Sequence, residues 1–353
     1  VVKFSVCLPT FAGGSAYTES IDFEELAAFG QRAEELGYAS LWAPDHFILG
    51  DEGGEHEVWT LLGALAGRTR RIRLGTLVLC NGYRNPALVA KMASTLDYLS
   101  GGRLDLGIGA GWHEREHRSY GIAWVERVGE RMDRLVEGLE VMKAMFTRPE
   151  TSFEGRFYQV EGAVCRPGPV QKPWPRLWIG GGGERRTLRI VAEHADAWNV
   201  PAVSPEEYAH KLGVLREHCR AVGRDYDEIE KTMETRVLLM DEPGAEERVV
   251  DSYLHWQRTA DAELPERDEV LALLKDMYIL GTLEECVAKV RRYVEAGVEH
   301  FTAYFLDYPS TRTLEAFARE VPRGATGTFP PAKGRWRKGE PSPSPFDKLR
   351  TSP

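Results

Sequence analysis

The sequence predicts a closed parallel barrel of eight strands and eight helices, the (β/α)8 TIM barrel, with insertions after strands and a disordered C-terminal tail. Three observations predict it. Short β-rich runs alternate with helical patterns along most of the 353 residues, the signature of βαβ units and a parallel sheet. The alternations number eight, which is the count that closes such a barrel. The stretch before a compositional break at residue 322 has the length of one large α/β barrel. An open doubly wound sheet of the same length is the competing topology.

Each element has its own signal. A strand over 3–8 precedes a helix over 22–36, with Phe23, Leu26, Ala27, Ala33 and Leu36 at helical spacing and Gly37 as the stop. A strand over 39–43, a helix near 57–69 and a strand over 72–79 follow. A helix over 86–99 leads to a strand over 103–109. Val128, Met132, Leu135, Val136, Leu139 and Met142 then mark one face of a long helix. A strand over 177–180, a helix from 184 to about 194 and a strand over 196–200 continue the pattern. Ser204-Pro205-Glu206-Glu207 is a capping box with proline at the first helical position. A seventh strand over 235–240, a helix from Thr282 to the stop at Gly297, a strand over 300–306 and a helix over 310–320 complete the set. Two excursions interrupt it. Residues 147–176 read as a small hairpin (TSFEGRFYQV) plus a proline-rich crossing, and 241–280 are long, polar and partly helical. In a barrel such excursions sit over the active face and select substrates.

Composition excludes several classes. The chain is 42% hydrophobic and 28% charged, ordinary for a globular protein. No run of eighteen apolar residues is present to span a membrane, and the first residues (VVKFSVCLPTF) lack the pattern of a signal peptide. Cys7, Cys80, Cys165, Cys219 and Cys286 are scattered and odd in number, offering neither a disulfide framework nor a CxxC pair. These features predict a protein of the reducing cytoplasm. The net charge is −9; from Pro322 onward seven Lys/Arg face two Asp/Glu, which leaves −14 on the rest. A body so acidic is a poor binder of nucleic acid. Residues 1–321 thus read as one domain, and 322–353 as a basic, proline-rich disordered tail.

Four motifs carry candidate chemistry. His113-Glu114-Arg115-Glu116-His117 is a literal HExxH, but it follows a strand and a glycine turn and precedes RSYGI, so it reads as a polar loop and not as a zinc helix. No metal site is expected. Gly107-Ile108-Gly109-Ala110-Gly111-Trp112 has tryptophan where a dinucleotide fingerprint needs its third glycine. Its alternating glycines let a flat ring or a neighbouring backbone approach closely. Gly180-Gly181-Gly182-Gly183-Glu184 opens a helix after an apolar strand, a ready anion site, with Arg185, Arg186 and Arg189 adding positive charge. Asp45-His46 ends the second strand, where barrel enzymes place chemistry, and histidine exchanges protons near neutral pH.

Together these segments resemble the bacterial-luciferase-like flavin and deazaflavin oxidoreductases, and most closely the branch that uses coenzyme F420. The resemblance runs from residue 3 to about 307. Its carriers are KFSVCLPT, SLWAPDHF, LGTLVL with NGYRNPALVAK, GGRLDLGIGAGWHEREH, LWIGGGGERRTLRIVAEHADAWN, and GTLEECVAKVRRYVEAGVEHF. It implies a (β/α)8 barrel with the cofactor ring at the C-terminal mouth of the strands. His46 matches the family's acid/base histidine, oriented here by Asp45 or Glu114. Leu77-Val78, beside Thr76, match the place of a cis non-proline peptide bulging behind the ring. Gly109 and Ala110 would line the ring's edge, and Gly181, Gly182, Gly183 and Glu184 would take the cofactor phosphate. Small Ala110, where luciferases carry an arginine, and Asp45-His46 in place of Glu-His-His lean towards a deazaflavin.

The resemblance implies an oxidoreductase that transfers a hydride between coenzyme F420 and a small organic substrate. The alternative is an FMN-dependent monooxygenase that uses oxygen and a separate flavin reductase. A flavin-binding protein without catalysis is the third reading. The family pattern also implies a homodimer, with a flavin or F420 reductase as functional partner. The substrate is left to the loops 11–17, 50–55, 147–176 and 241–280; Trp42, Trp59, Trp112 and Trp174 could form an aromatic wall or belong to the core.

Overall fold

The structure, a computed structural model, describes residues 2–10, 21–48, 54–259 and 266–326. Among these, eight parallel strands close into a barrel: β1 (Lys3–Cys7), β2 (Ser40–Ala43), β3 (Arg73–Thr76), β4 (Leu104–Gly109), β5 (Arg176–Gly180), β6 (Ala197–Pro201), β7 (Glu230–Leu239) and β8 (His300–Phe305). Each pairs with the next, and β8 returns to β1 in the register Lys3–His300 to Val6–Ala303. The helices that link them are α1 (Phe23–Leu36), α2 (Val58–Arg68), α3 (Pro86–Ser100), α4 (Val128–Thr147), α5 (Thr187–His194), α6 (Pro205–Val222), α7 (Leu283–Ala296) and α8 (Arg312–Thr326). The closed ring settles the topology against the open sheet.

Local chemistry sets the helix ends. Asp22 accepts the amides of Glu24 and Glu25 at the start of α1, and Thr282 and Glu285 form a reciprocal capping box on α7. Gly37, Gly223 and Gly297 close α1, α6 and α7 in the left-handed region. The main apolar core lies between strands and helices, while Cys7, Trp42, Leu77, Trp178, Ala197 and Tyr304 fill the barrel interior. Trp42 and Trp178 meet there at 4.3 Å between ring centroids. A Cβ on Gly75 would lie 2.2 Å from the Trp42 ring, so only glycine leaves room for that indole. Above this plug the strand ends are free to form a site.

Several expectations need correction. Strand β7 starts at Glu230, five positions before the expected Thr235, because Glu230, Lys231 and Thr232 are buried as polar groups with partners. The third strand stops at Thr76, passes through the cis Leu77-Val78 peptide, and resumes at Leu79–Cys80. Helix α5 starts at Thr187 and not at Glu184. The HExxH segment is no loop: Glu114–Ser119 is a short helix. Helix α8 runs to Thr326, past the expected end at Glu320; the tail from 327 on lies outside the described residues. Residues 147–176 do form a hairpin, Thr151–Glu154 against Gln159–Ala163, but the excursion follows a helix and packs outside the barrel. There Lys91 reaches the Arg166 carbonyl, and the Gln171 amide reaches Asp97 and the Leu104 carbonyl. The 241–280 excursion folds as helices Ala245–Thr259 and Arg267–Met277 with a strand Ile279–Gly281 beside β7. No helix among the described residues is long and apolar enough to cross a membrane.

Candidate active site

A cavity of about 660 Å³ opens at the C-terminal ends of the strands. Its walls come from three sources: the β2–β4 ends, the glycine loop after β5, and β7–β8 with the 241–280 excursion. The first wall is built around one carboxylate. His46 Nδ1 lies 2.8 Å from Glu116 Oε2, and the amides of Phe47 and Ile48 donate to Oε1. The Tyr83 hydroxyl also donates to Glu116. Burial alone would raise this carboxyl; the hydrogen bond and charge of His46, with Tyr83 and the Ile48 amide, outweigh it and hold Glu116 at about 2. His46 loses some proton affinity to burial, but the bond and charge of Glu116, then Glu55 and Asp45, carry its pKa above the ordinary imidazole value. An ionised Glu116 takes the Nδ1 proton as hydrogen-bond acceptor. This leaves Nε2 without a protein partner among the described residues and facing the cavity.

The expected orienters of His46 are therefore displaced. Asp45 is fully occupied elsewhere: it accepts from the Cys80 amide at 3.0 Å and from Arg84 at 2.8 and 3.0 Å, and Arg84 also binds Glu57. Burial outweighs the Arg84 charge and raises the Asp45 carboxyl. Glu114 faces outward and pairs with Arg118 one helical turn away. On the helix Glu114–Ser119 the inward positions are Glu116 and His117, both buried. His117 presents Nδ1 to the His113 carbonyl at 3.0 Å and Nε2 to Cys80 Sγ at 3.9 Å. Burial pushes the Cys80 thiol up to about 12, so it serves as a neutral donor to His117.

The alternating glycines of β4 now have a physical account. Val78 bulges towards β4 and β5, and a Cβ on Gly180 would lie 2.8 Å from both its methyls. A Cβ on Gly109 would lie 3.1 Å from Val78, and one on Gly107 would strike the Thr76 carbonyl at 2.0 Å. The glycines seat the Leu77-Val78 bulge, and the bulge presents its other side to the cavity. Leu77, Val78, Gly109 and Ala110 all line that cavity; Thr76 does not, because it is buried with its hydroxyl on the Gly107 backbone.

The glycine loop is a cradle of backbone. Gly181 holds φ at +125° and donates its amide to the Asn199 carbonyl, while the amides of Gly182 and Gly183 make no protein hydrogen bond among the described residues. Free amides ahead of a helix bind phosphate. The expected side chains play no part in it. Arg186 turns away to the Gly129 carbonyl and Asp133, Arg189 pairs with Glu193, and Arg185 is exposed. Glu184 lies off the cavity, bound to Lys211, which also ties down the Gly182 carbonyl at 3.1 Å. Lys211, on α6, is thus the cation that shapes the loop. The flat apolar bulge, the unbranched glycine edge and the two free amides fit a planar tricyclic cofactor with a phosphorylated side chain.

The third wall was not legible in advance. Glu234 and Arg236 on β7, Tyr304 on β8, and Tyr253, Gln257 and Tyr278 from the 241–280 excursion all line the cavity. The signal was present in METRVLL, where two charged residues two apart in an apolar strand share one face. Trp112 also lines the cavity, whereas Trp42 and Trp59 are core and Trp174 sits under Lys143. The loops 11–17 and 50–53 lie outside the described residues.

The luciferase-like monooxygenase family model matches residues 2–300. The chain is 29% identical over 334 residues to a protein of Amycolatopsis mediterranei (strain U-32) named F420-dependent glucose-6-phosphate dehydrogenase, covering 88% of this chain and 96% of that one. It is 30% identical over 306 residues to the phthiodiolone/phenolphthiodiolone dimycocerosates ketoreductase of Mycobacterium kansasii, covering 76% and 80%. An F420-dependent secondary alcohol dehydrogenase, solved with an F420-acetone adduct, superposes with a TM-score of 0.77 at 21% identity, over 91% of this chain and 98% of that one. At that identity the superposition speaks for the fold.

Proposed function

The chain belongs to the luciferase-like monooxygenase family, and on that premise we propose that it is an oxidoreductase transferring a hydride between coenzyme F420 and a small organic substrate at the mouth of the barrel. One observation carries the reading: His46, fixed through Nδ1 by Glu116 with Nε2 open, shares a cavity with the Leu77-Val78 bulge and the free amides of Gly182 and Gly183. The F420-dependent names of relatives that match along most of both chains support the choice of cofactor. Bound deazaflavin supplies a ring carbon that takes or gives a hydride.

The protein's own part is positional and acid–base. Leu77 and Val78 back the ring, and Gly109 and Ala110 leave its edge clear. The Gly182 and Gly183 amides hold the phosphate of the side chain. His46 Nε2 takes the hydroxyl proton of an alcohol as it is oxidised, or returns a proton to the carbonyl oxygen in the reverse direction. Glu116 stays ionised throughout and stabilises the imidazolium. In this reading the chain works in the cytoplasm as a homodimer with a separate F420 reductase.

The test is binding of the purified protein to coenzyme F420 and, separately, to FMN, followed by fluorescence quenching. F420 binding tighter by tenfold or more, about 1.4 kcal/mol, is expected. The reverse order would make the protein an FMN-dependent monooxygenase and send the search after its flavin reductase.

A further inference from the structure

We infer that Arg236 determines substrate specificity and that the substrate carries a carboxylate, held by the Arg236 guanidinium on the β7–β8 wall. The inference rests on the proposed function for one point only: the cofactor occupies the bulge and the glycine loop, so the opposite wall receives the substrate. That wall is built from Glu234, Arg236, Tyr304, Tyr278, Tyr253 and Gln257.

The guanidinium is held in place but incompletely bonded. It lies 5.0 Å from the Tyr278 ring centroid and 5.6 Å from that of Tyr304, so two aromatic faces fix its plane. Its side chain is only 15% exposed. Of its five N–H donors, Nη1 reaches the Tyr278 hydroxyl at 3.0 Å, and no other hydrogen bond is made to the described residues. Glu234 approaches to 3.8 Å, beyond hydrogen-bond distance, so the fork is not closed by an internal carboxylate. Burial raises the Glu234 carboxyl against the opposing pull of Arg236 and His46, which weakens its claim on the guanidinium further.

No Arg236 nitrogen is among the buried unpartnered atoms, so its open donors face the cavity, where water meets them until a ligand with matching acceptors displaces it. A planar fork between two rings matches a planar acceptor with two oxygens, which is a carboxylate. The proposed substrate is therefore a hydroxy acid or an oxo acid, its carboxylate on Arg236 and its reacting carbon towards His46. An uncharged alcohol or a long apolar ketone would offer the fork no matching pair of acceptors.

The experiment is titration calorimetry of the full chain with benzoate, methyl benzoate and phenyl phosphate, using wild type, Arg236→Lys and Arg236→Met. Wild type should bind benzoate at least ~10-fold more tightly than the ester, and Arg236→Met should abolish the difference. Arg236→Lys keeps the charge but loses the fork, and should give an intermediate preference. Equal binding of acid and ester by wild type, a preference that survives in Arg236→Met, or tighter binding of phenyl phosphate than of benzoate would each overturn the inference. If Arg236→Met does not fold, judged by its melting curve, wild type and Arg236→Lys decide by the same criteria. F420 binding measured on the same preparations separates the two readings: loss of F420 binding with the benzoate preference intact sinks the cofactor and spares Arg236, and the opposite result does the reverse.

Discussion

The two walls that face each other across the cavity differ in how completely their charged groups are satisfied. On the β2–β4 side Glu116 receives His46, Tyr83 and two backbone amides, and Asp45 receives Arg84 and the Cys80 amide. On the β7–β8 side Arg236 makes one hydrogen bond, and Glu234 makes none among the described residues. Full satisfaction fixes geometry before any ligand arrives, which is what proton transfer to a defined atom requires. Incomplete satisfaction leaves donors to be matched by whatever binds, which is how specificity is written. The first wall is built for the reaction and the second for its substrate.

The sharpest way to break this division is to remove the one group of the finished wall that opens on the cavity. His46→Ala should lower turnover by about 10²–10⁴-fold and leave F420 affinity nearly unchanged, because the bulge and the glycine loop are untouched. Steady-state rates with a fluorescence titration on the same variant check both halves. Wild-type turnover in this variant would move the proton chemistry to another residue, Glu234 being the next carboxyl on the cavity.

Glu116→Gln tests the same wall one step back and should cost about 10–100-fold in rate. Its pH profile is the more telling readout. The Glu116 bond and charge hold His46 above its ordinary value, so the glutamine lowers the His46 pKa. Alcohol oxidation needs neutral His46 as base; its rising limb should therefore move to lower pH in the variant, and the reductive direction should lose activity at lower pH than wild type. Stability follows the same signs. The raised His46 contributes below its unfolded value of about 6.5 and loses that contribution as pH rises through the folded value. The lowered Glu116 contributes above about 4.5 and loses that contribution as pH falls towards about 2. The gap in melting temperature between wild type and variant should thus be widest between about pH 4.5 and 6.5. An unchanged pH profile would make Glu116 a packing residue.

The contrast between the walls also explains what the sequence could reveal. The eight strands follow from apolar runs and turn residues, and the structure closes them into a barrel; the cis Leu77-Val78 peptide follows only from the family resemblance, and His46 stands at a strand end that lines the cavity. Choosing Glu116 over Glu114 requires the phase of a six-residue helix that starts from a glycine turn, and no periodicity is measurable over so short a span. Arg185, Arg186 and Arg189 look like phosphate ligands only if the helix starts at 184; with α5 starting at Thr187, Arg186 and Arg189 point to surface partners. Buried polar runs mislead in the same way. Glu230 and Lys231 read as loop until their partners Lys3, Arg176 and Glu299 arrive from elsewhere in the chain.

The smallest expected effect comes from the second wall and separates it from the first. Tyr278 gives Arg236 its one hydrogen bond and one of its two ring contacts; Tyr278→Phe removes the bond and keeps the ring. The freed donor lies on an open cavity where water replaces the hydroxyl, so the loss should be at most about 1 kcal/mol. Turnover through His46 should change by less than about threefold, with the His46-dependent pH profile unmoved. A thermal melt and a rate–pH profile measure both. If Tyr278→Phe shifted that profile as Glu116→Gln does, the two walls would be electrostatically one unit, and the division between reaction and recognition would fail at the pair closest to joining them, Glu234 and His46, whose charges already sense each other.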